Sequence, residues 1–452
     1  MMKNKILTEV FGCIVLGAVF AVLGCCFLFV KNAAPGFLFP MFMGGLVVFD
    51  FILNAVPILF TLKLPGFRLK ACYHGVICLK SFIWALVFSV IIHIILGIYL
   101  LPDDWWELVC SGIVCAGMLS VLFWNGMLSV YCASVQLGVK GRIRGLLLGL
   151  VPIANIVMLF KIIRIVREEV FFERDKAELD KMRSDEKICE TRYPILFVHG
   201  VFFRDFKHIN YWGRIPDAII KNGGKIYYGN HQSAASVVSG GQELAERIRQ
   251  IIKESGCEKV NIIAHSKGGL DSRYAIAKCG IADMVASLTT INTPHRGCIF
   301  AEYLLEKLPR NLQLSTAAGY NAAMRRLGDA DPDFLAAVSD LKADVCAVYD
   351  KELIVPESVF TQSVGSLLKH ASGGKFPLNF SYHLVKYFDG PNDGLVSEPA
   401  FSFGESYTLL KPTGNRGISH GDMIDLNREN IRGFDVREFY VQLVGDLKKK
   451  GF

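Results

Sequence analysis

The sequence has little charge and lacks the patterns that most directly indicate a nucleic-acid-binding or repeat protein. Only 20% of the 452 residues are charged, and the net charge is a modest +7. No basic stripe with interleaved aromatic residues occurs, so nucleic acid is not expected as a partner. No internal repeat or low-complexity tract stands out either. These absences direct attention to the apolar content of the chain and to its local motifs.

Cysteine is present, but its spacing is not typical of a structural role. Eight of the 13 cysteines precede residue 166 and lie mostly within apolar runs. The remaining five are an odd number without a CxxC pair: Cys189, Cys257, Cys279, Cys298 and Cys346. Neither a zinc site nor a disulfide framework can be read from these five.

Long apolar runs are concentrated in the first third of the chain. Hydrophobic residues make up 52% of the sequence and the mean hydropathy is +0.36, which is too apolar for a soluble domain alone. Four runs exceed the about 20 residues that a helix needs to cross a bilayer. They are Ile6–Val30, Ala34–Leu62, Ser81–Leu101 and Leu108–Leu137. Residues 1–165 are therefore predicted to form a transmembrane helical domain of an integral, multi-pass membrane protein.

A fifth apolar run, Gly145–Phe160, leaves the number of spans at four or five. It has 16 residues and contains Pro152 and Asn155, so it is either a short span or a re-entrant hairpin. Basic residues flank the second and fourth loops, which the positive-inside rule places in the cytoplasm together with the N-terminus. Five spans then put the C-terminal part outside, whereas basic residues after the fifth run and unpaired cysteines favour the reducing side. The sequence leaves the side open.

The composition changes to charge after residue 165, and residues 166–192 are predicted to be a charged linker. From residue 193 apolar strands alternate with helical patterns, which indicates parallel βαβ units and a doubly wound, mostly parallel sheet. The strand candidates are Tyr193–Val198, Lys225–Tyr228, Lys259–Ala264, Ala286–Ile291, Asp344–Tyr349 and Tyr407–Leu410. The helix candidates include Ile215–Lys221, Gln242–Glu254, Leu270–Lys278 and Ile299–Leu308. Residues 193–452 are thus predicted to form one α/β domain.

The stretch Val260–Gly269, VNIIAHSKGG, has the form of a nucleophile elbow. An apolar strand stops at a serine, Ser266, and a helix follows at once, which is the turn that exposes a serine oxygen above a sheet. The turn crowds the positions two before and two after the serine, where Ala264 and Gly268 supply small side chains. The pattern is loose and also fits a glycine-rich turn on a dinucleotide-binding strand, so its weight depends on partners elsewhere.

A serine nucleophile needs a base and an acid that orients the base, and in an α/β-hydrolase arrangement they follow in the order serine, acid, histidine. Only His370, His383 and His420 lie well beyond Ser266, and only His420 leaves room for an acid on a late strand end. Two aspartates of the segment FDGPNDGLVS are acid candidates, Asp393 and, less favoured, Asp389. Both aspartates can also be explained without a catalytic role, because aspartate is favoured in turns.

The oxyanion of an acyl-transfer reaction needs two backbone N–H donors, one of them from the residue after the serine, here Lys267. The second donor is expected in the loop after the first strand, where Gly200 permits a tight backbone. Val201 is the preferred donor and Phe202 the alternative. The early His199, and His265 beside the serine, are expected to have packing or hydrogen-bonding roles.

The ordered motifs HGVF, AHSKGG, TPHRG, NDGLVS and ISHGD resemble the bacterial triacylglycerol lipase and esterase group of the α/β-hydrolase superfamily. The resemblance covers about residues 193–425 and does not extend to residues 1–165. It implies Ser266 as nucleophile, Asp393 as acid and His420 as base, with Val201 and Lys267 as oxyanion donors.

The resemblance also leads us to look for two further features of this family, a calcium site and a lid. Asp422 fits the aspartate after the histidine that helps to hold a structural calcium in many relatives. The second aspartate, expected about twenty residues before Asp393, is missing, so no cofactor or metal is predicted, and a structural calcium stays only as a less favoured alternative. The lid is expected at 298–376, with Gly365, Gly373 and Gly374 as hinges or, equally, as parts of a solvated insertion.

The sequence thus predicts a membrane-anchored serine hydrolase that cleaves carboxylic esters through an acyl-enzyme, in a bacterial cell membrane. A bilayer anchor makes lipid esters the expected substrates, and the oligomeric state is open. A phospholipase or lipid acyltransferase with the same triad is an alternative. A membrane scaffold with a catalytically inactive hydrolase-like domain is another.

Overall fold

The computed structural model describes residues 2–33, 36–101, 103–201, 210–326, 328–411 and 414–452, without the side chains of residues 2–6 and 304. The chain divides into two compact units, Met1–Leu179 and Asp180–Phe452. The division falls within the charged segment predicted to be a linker. That segment is largely helical, because one helix continues through it as far as Met182.

The N-terminal unit consists of helices, in keeping with its apolar runs. The helices are α1 (Met2–Gly24), α2 (Phe27–Ala33), α3 (Leu38–Leu53), α4 (Phe67–Leu100), α5 (Trp105–Ala133), α6 (Gly138–Gly149) and α7 (Ala154–Met182), with a 3₁₀ segment at Val56–Thr61. Four segments of the described chain are long and apolar enough to cross a membrane: Leu7–Gly24, Leu38–Thr61, Phe67–Leu100 and Trp105–Ala133. The fifth apolar run is divided between α6 and α7, since the helix stops at Gly149 and restarts at Ala154.

A charged cluster lies inside this unit, which the sequence analysis did not anticipate. Glu9 of α1 is only 5% exposed and pairs with Lys80 of α4 and Arg167 of α7, the latter through contacts of 3.1 and 3.2 Å. The hydroxyl of Tyr73 donates to the same carboxylate at 3.0 Å. A buried charge is costly unless it is paired, and two cations and a hydroxyl satisfy this one.

The C-terminal unit is built on six parallel strands in the order β2-β1-β3-β4-β5-β6. The strands are β1 (Ile195–Val198), β2 (Ile226–Tyr228), β3 (Val260–His265), β4 (Val285–Ile291), β5 (Phe360–Ser366) and β6 (Ser406–Leu410). The helices are α8 (Ile215–Lys221), α9 (Val237–Ser255), α10 (Lys267–Lys278), α11 (Ile299–Lys307), α12 (Arg310–Arg326), α13 (Phe334–Ser339), α14 (Ala343–Glu352), α15 (Leu378–Asp389) and α16 (Val436–Lys449). This is the predicted doubly wound α/β architecture.

The two faces of the sheet carry separate cores, as the alternation of side chains along a strand requires. On one face Phe197 of β1 packs with Trp212 and with Tyr440 of α16. On the other face neighbouring residues such as Leu196 pack against the buried side of α9, including Leu244. Both faces are covered, which explains why β1, β3 and β4 are buried along their whole length.

One predicted strand is wrong and one strand was missed. Asp344–Tyr349 lies within α14, where Cys346 is buried and Val348 is half exposed, as on an amphipathic helix. The strand in this part of the sheet is β5, whose sequence FTQSVGS has only two large apolar residues, Phe360 and Val364, and was not recognised as a strand. Its polar groups are satisfied inside the sheet, because Ser363 donates to the carbonyl of Phe403 and Gln362 donates to Thr289.

The predicted lid boundaries and hinges also need correction. Gly365 belongs to β5, and a Cβ there would lie 2.4 Å from Phe401, so it is a packed core position. A Cβ at Gly373 would lie 2.3 Å from the backbone oxygen of Arg416. The inserted helices are α11 to α13, between β4 and α14.

Candidate active site

The turn between β3 and α10 has the strained geometry of an elbow. Ser266 has φ +55° and ψ −133°, a conformation that a residue with a side chain adopts only when its surroundings enforce it. Its N–H donates to the carbonyl of Ile291 at 2.9 Å, which extends the pairing with β4 beyond the strand. The serine is therefore held at the carboxyl end of a central strand.

The surroundings that enforce this turn are close backbone contacts with the loop after β1. A Cβ at Gly268 would lie 2.4 Å from the carbonyl oxygen of His199, and a Cβ at Gly200 would lie 2.8 Å from Cβ of Ser266. A Cβ at Gly269 would meet Thr293 at 2.2 Å. Because these three positions admit only hydrogen, α10 can approach the end of β1 closely enough to bring the serine beside that loop.

His420 and Asp393 are in direct contact. Nδ1 of His420 lies 2.7 Å from Oδ2 of Asp393, and the backbone N–H of His420 donates to the carbonyl of Asp393 at 2.9 Å. The carboxylate is fully buried, and its Oδ1 accepts from the N–H groups of Leu395 and Val396 at 2.9 and 2.8 Å. Since a carboxylate only accepts, Nδ1 of His420 carries the proton and Nε2 has the free lone pair.

Ser266 lies near this pair without being bonded to it. The ring of His265, the residue before the serine, packs at 4.4 Å from the ring of His420. Both Ser266 and His420 are 7% exposed. Within the described parts of the chain, neither the Ser266 hydroxyl nor Nε2 of His420 forms a hydrogen bond. The contact between serine and histidine thus stays a prediction.

Asp389, the less favoured acid candidate, has another role. Its two carboxylate oxygens accept from the N–H groups of Ile299 and Phe300, each at 3.0 Å. It therefore caps the N-terminus of α11, where a negative charge is favourable.

Of the proposed oxyanion donors, Lys267 is the first residue of α10, and Val201 follows the glycine after β1. Neither backbone N–H has an acceptor among the described residues. The N-terminus of α10 adds a partial positive charge beside the serine. The alternative donor, Phe202, lies outside the described residues.

The side chain of Lys267 takes part in a buried network beneath the elbow. Its ammonium group contacts Oδ1 of Asp271 at 2.5 Å, and both residues are almost fully buried. Burial raises the pKa of Asp271 to about 6, against the lowering effect of Lys267. The ring of His231 lies 3.4 Å from the other oxygen and stacks on His199 at 4.1 Å. Burial lowers the pKa of His199 to about 3, so it is neutral, in agreement with its expected structural role.

His265 is neutral as well and belongs to a second hydrogen-bonded chain. Burial, followed by the proximity of His420, holds the pKa of His265 well below its ordinary value. The hydroxyl of Tyr211 forms a hydrogen bond of 2.8 Å with Nδ1 of His265 and accepts from the N–H of Gly200 at 3.1 Å. Tyr211 thereby connects the elbow to the loop of the proposed second oxyanion donor.

Sequence reasoning missed Tyr211 and a second positioning residue, Asn292. Asn292 follows β4 with φ +47°, and its amide donates to Oδ2 of Asp393 at 2.5 Å and to the hydroxyl of Ser366 at 2.7 Å. The signal that could have found it is its position at the carboxyl end of a central strand, in the sequence INTP.

The residues around Asp422 do not fit a calcium ion. Its carboxylate accepts from the guanidinium of Arg416 at 2.8 and 3.2 Å. Oδ2 also accepts from the backbone N–H and the hydroxyl of Ser419, each at 2.7 Å. Calcium sites are built from oxygen ligands, and a cation on this carboxylate would displace the arginine.

The fold and the motif order resemble the lipase and esterase group of the α/β-hydrolases, and comparisons with known proteins support this resemblance for the C-terminal part. Residues 227–326 match the family described as "Putative serine esterase (DUF676)". A triacylglycerol lipase of Pseudarthrobacter phenanthrenivorans is 35% identical over 173 residues, covering 36% of this chain and 54% of the relative. A triacylglycerol lipase of Vibrio cholerae is 27% identical over 246 residues, covering 49% of this chain and 78% of the relative.

Among solved structures, the Staphylococcus hyicus lipase is similar with a TM-score of 0.44 and 18% identity, over 58% of this chain and 97% of that one. The chain spans about half the length of the first curated relatives it matches, 54% and 48% of the two. The residues that match the family lie in the C-terminal unit and include the turn at Ser266.

Proposed function

We propose that the C-terminal unit is a serine hydrolase that cleaves carboxylic esters of lipids, held at a membrane by the N-terminal unit. The observation that carries the proposal is the 2.7 Å contact of His420 with Asp393, on loops that follow β5 and β6. In a parallel sheet these loops share one edge with the turn at Ser266. Relatives that are triacylglycerol lipases support the same reaction class.

The proposed reaction uses Ser266 as nucleophile. Its hydroxyl attacks the ester carbonyl while Nε2 of His420 takes the proton, and Asp393 stabilises the imidazolium that results. The N–H groups of Val201 and Lys267 receive the negative charge that develops on the carbonyl oxygen. Collapse expels the alcohol, which takes the proton from His420, and water then releases the acid from the acyl-enzyme by the same steps.

A lipid is the proposed substrate class for two reasons. Four segments of the N-terminal unit are long and apolar enough to span a bilayer, and a bilayer anchor brings the enzyme to acyl chains. The helices inserted after β4 expose apolar side chains, with Ile299, Leu312 and Leu314 about half exposed. An exposed apolar patch of this kind suits contact with apolar material.

The test is active-site labelling of the full chain in detergent. A fluorophosphonate probe should label the wild type and fail to label Ser266→Ala. The matched control is Ser272→Ala, six residues further along the chain in α10, whose hydroxyl donates to the carbonyl of Gly268 and which should keep its labelling. No labelling of folded wild-type protein would favour a non-catalytic scaffold and overturn the proposal.

Substrate class is read next from esters of different chain length. Hydrolysis of p-nitrophenyl esters that rises with acyl length supports a lipid ester. Water-soluble short esters as the preferred substrates would remove the lipid part of the proposal while leaving the serine hydrolase. Transfer of the acyl group to an added alcohol rather than to water would identify an acyltransferase.

A further inference from the structure

The N-terminal unit contains a cluster of two cysteines and a histidine that the hydrolase chemistry does not use. Cys25 follows the end of α1, His93 lies in α4 and Cys115 lies in α5. One ligand atom from each of the three lies within 4.8 Å of the others. Three elements of the fold thus bring soft ligand atoms to one point.

The spacing is close to that of a coordination shell. Sγ of Cys25 lies 3.7 Å from Nδ1 of His93. In a tetrahedral zinc site, bonds of about 2.3 Å to sulfur and about 2.0–2.1 Å to nitrogen put the ligand atoms about 3.5–3.8 Å apart. A Cβ at Gly24 would lie 3.0 Å from Sγ of Cys115, so the glycine is what allows α1 to approach this thiol.

The groups next to the ligands fit a bound ion as well. The backbone oxygen of Ser89 lies 2.8 Å from Nδ1 of His93, and the hydroxyl of Ser111 lies 3.2 Å from Nε2. Whichever nitrogen binds an ion, the other therefore retains a hydrogen-bond partner that orients the ring, as metal-binding histidines require.

A second observation is an unpartnered hydroxyl at the same point. The Ser89 side chain is 4% exposed, and its hydroxyl has no hydrogen-bond partner among the described residues. This hydroxyl lies beside the thiols of both Cys25 and Cys115. A buried hydroxyl without a partner is costly, particularly in an apolar helix bundle, and a fourth ligand position would satisfy it.

The charge of the ligands favours a divalent over a monovalent cation. If α5 crosses a bilayer, Cys115 lies ten residues from its start at Trp105, or about 15 Å deep at 1.5 Å per residue. Net charge at that depth is unfavourable. Two thiolates, a neutral imidazole and a divalent cation sum to zero, whereas a monovalent cation would leave one negative charge.

We propose that Cys25, His93 and Cys115 bind one Zn²⁺ ion between the helices of the N-terminal unit, with the fourth position facing Ser89. Binding forms two zinc–sulfur bonds and one zinc–nitrogen bond, and it releases the two thiol protons to solvent. The site ties three elements of the bundle together and is independent of the hydrolase function proposed above.

The test uses the full chain purified in detergent with its thiols reduced. Metal analysis after dialysis against zinc should give one zinc per chain, and Co²⁺ in its place should give thiolate-to-cobalt charge-transfer absorption. Both signals should be lost in Cys115→Ser and strongly reduced in His93→Ala. The control variants are Cys26→Ser, whose thiol donates to the carbonyl of Val22, and Cys110→Ser; both should keep the metal.

The measurement on the wild type decides the proposal even if a variant fails to fold. Folded wild-type protein that retains no zinc and gives no cobalt spectrum overturns it. A Cys25–Cys115 disulfide in the protein as isolated, shown by thiol counting before reduction, would assign the cysteines to a covalent link and equally overturn it. Cobalt absorption that persists in Cys115→Ser would place any bound metal elsewhere.

Discussion

The hydrogen bonds of the Asp393 carboxylate allow a specific prediction for the substitution Asp393→Asn. Oδ1 of Asp393 accepts two backbone N–H groups, and Oδ2 accepts from Asn292 and faces the protonated Nδ1 of His420. An asparagine has only one accepting oxygen. With that oxygen in the Oδ1 position, the two backbone bonds survive and the amide nitrogen faces His420.

The amide then donates to Nδ1, which forces the proton of the imidazole onto Nε2. In that tautomer His420 cannot accept the proton of Ser266. The corresponding change in a serine protease triad lowers kcat by about 10⁴-fold, or about 5.5 kcal/mol of transition-state stabilisation. The unfolding free energy should fall by only about 1–3 kcal/mol, for the lost contact with Asn292.

The assay is hydrolysis of a p-nitrophenyl ester, with kcat and KM separated. Asp389→Asn is the matched control, because that aspartate caps α11 rather than facing His420. It should lose about 0.5–2 kcal/mol of stability at most and keep its kcat. If Asp393→Asn retained more than about a tenth of the wild-type kcat while folded, the role assigned to Asp393 would be wrong.

Three further predictions concern the surroundings of the elbow. Gly268→Ala should lower the free energy of unfolding by about 1–3 kcal/mol and lower kcat, because its Cβ would lie 2.4 Å from the His199 carbonyl oxygen. The control is Gly319→Ala, which has open space around it, and both variants are compared by thermal unfolding and kinetics. Tyr211→Phe removes the hydrogen bond to His265 and the acceptor for Gly200, so kcat should fall with KM little changed. An unchanged kcat would show that Tyr211 is not a positioning residue. Burial raises the pKa of Asp271 to about 6 from about 3.9 in the unfolded chain. The folded state then binds more protons between these values, so this group's contribution to stability falls as the pH rises from about 4 to about 6. Urea unfolding of the wild type should show that slope, and Asp271→Asn should flatten it; an unaltered slope would rule Asp271 out as its source.

The sequence predicted the elements whose signal is local. β3 and α10 are marked by an apolar strand, a small-residue turn and a helical pattern within twenty residues, and both formed close to the predicted positions. The same holds for β1, β2, β4 and β6, where apolar strands end in turns. The order serine, acid, histidine pointed to His420 and to Asp393 or Asp389, and the turn sequence and the lipase resemblance favoured Asp393, which does contact His420.

Features that depend on partners far apart along the chain could not be predicted from the sequence. β5 can be a strand because the polar side chains of Gln362 and Ser363 find hydrogen-bond partners, and the sequence FTQSVGS does not mark it as buried. Tyr211 and Asn292 acquire their roles from His265 and Asp393, which lie 54 and 101 residues away along the chain. Glu9 can lie inside a helical bundle only because Lys80 and Arg167 arrive from other helices.

The acid, the base and the serine differ in how many hydrogen bonds and close contacts hold them, and this difference indicates which group moves during the reaction. Asp393 accepts four hydrogen bonds, and the backbone of His420 is bonded to it. The backbone of Ser266 is fixed by the contacts of Gly200 and Gly268. The Ser266 hydroxyl, in contrast, turns about a single bond and has no hydrogen bond within the described residues. Catalytic hydrogen bonds commonly tighten only when substrate is present. A rotation of the Ser266 side chain is therefore the movement expected to bring its hydroxyl to the imidazole, with the acid and the elbow as fixed references.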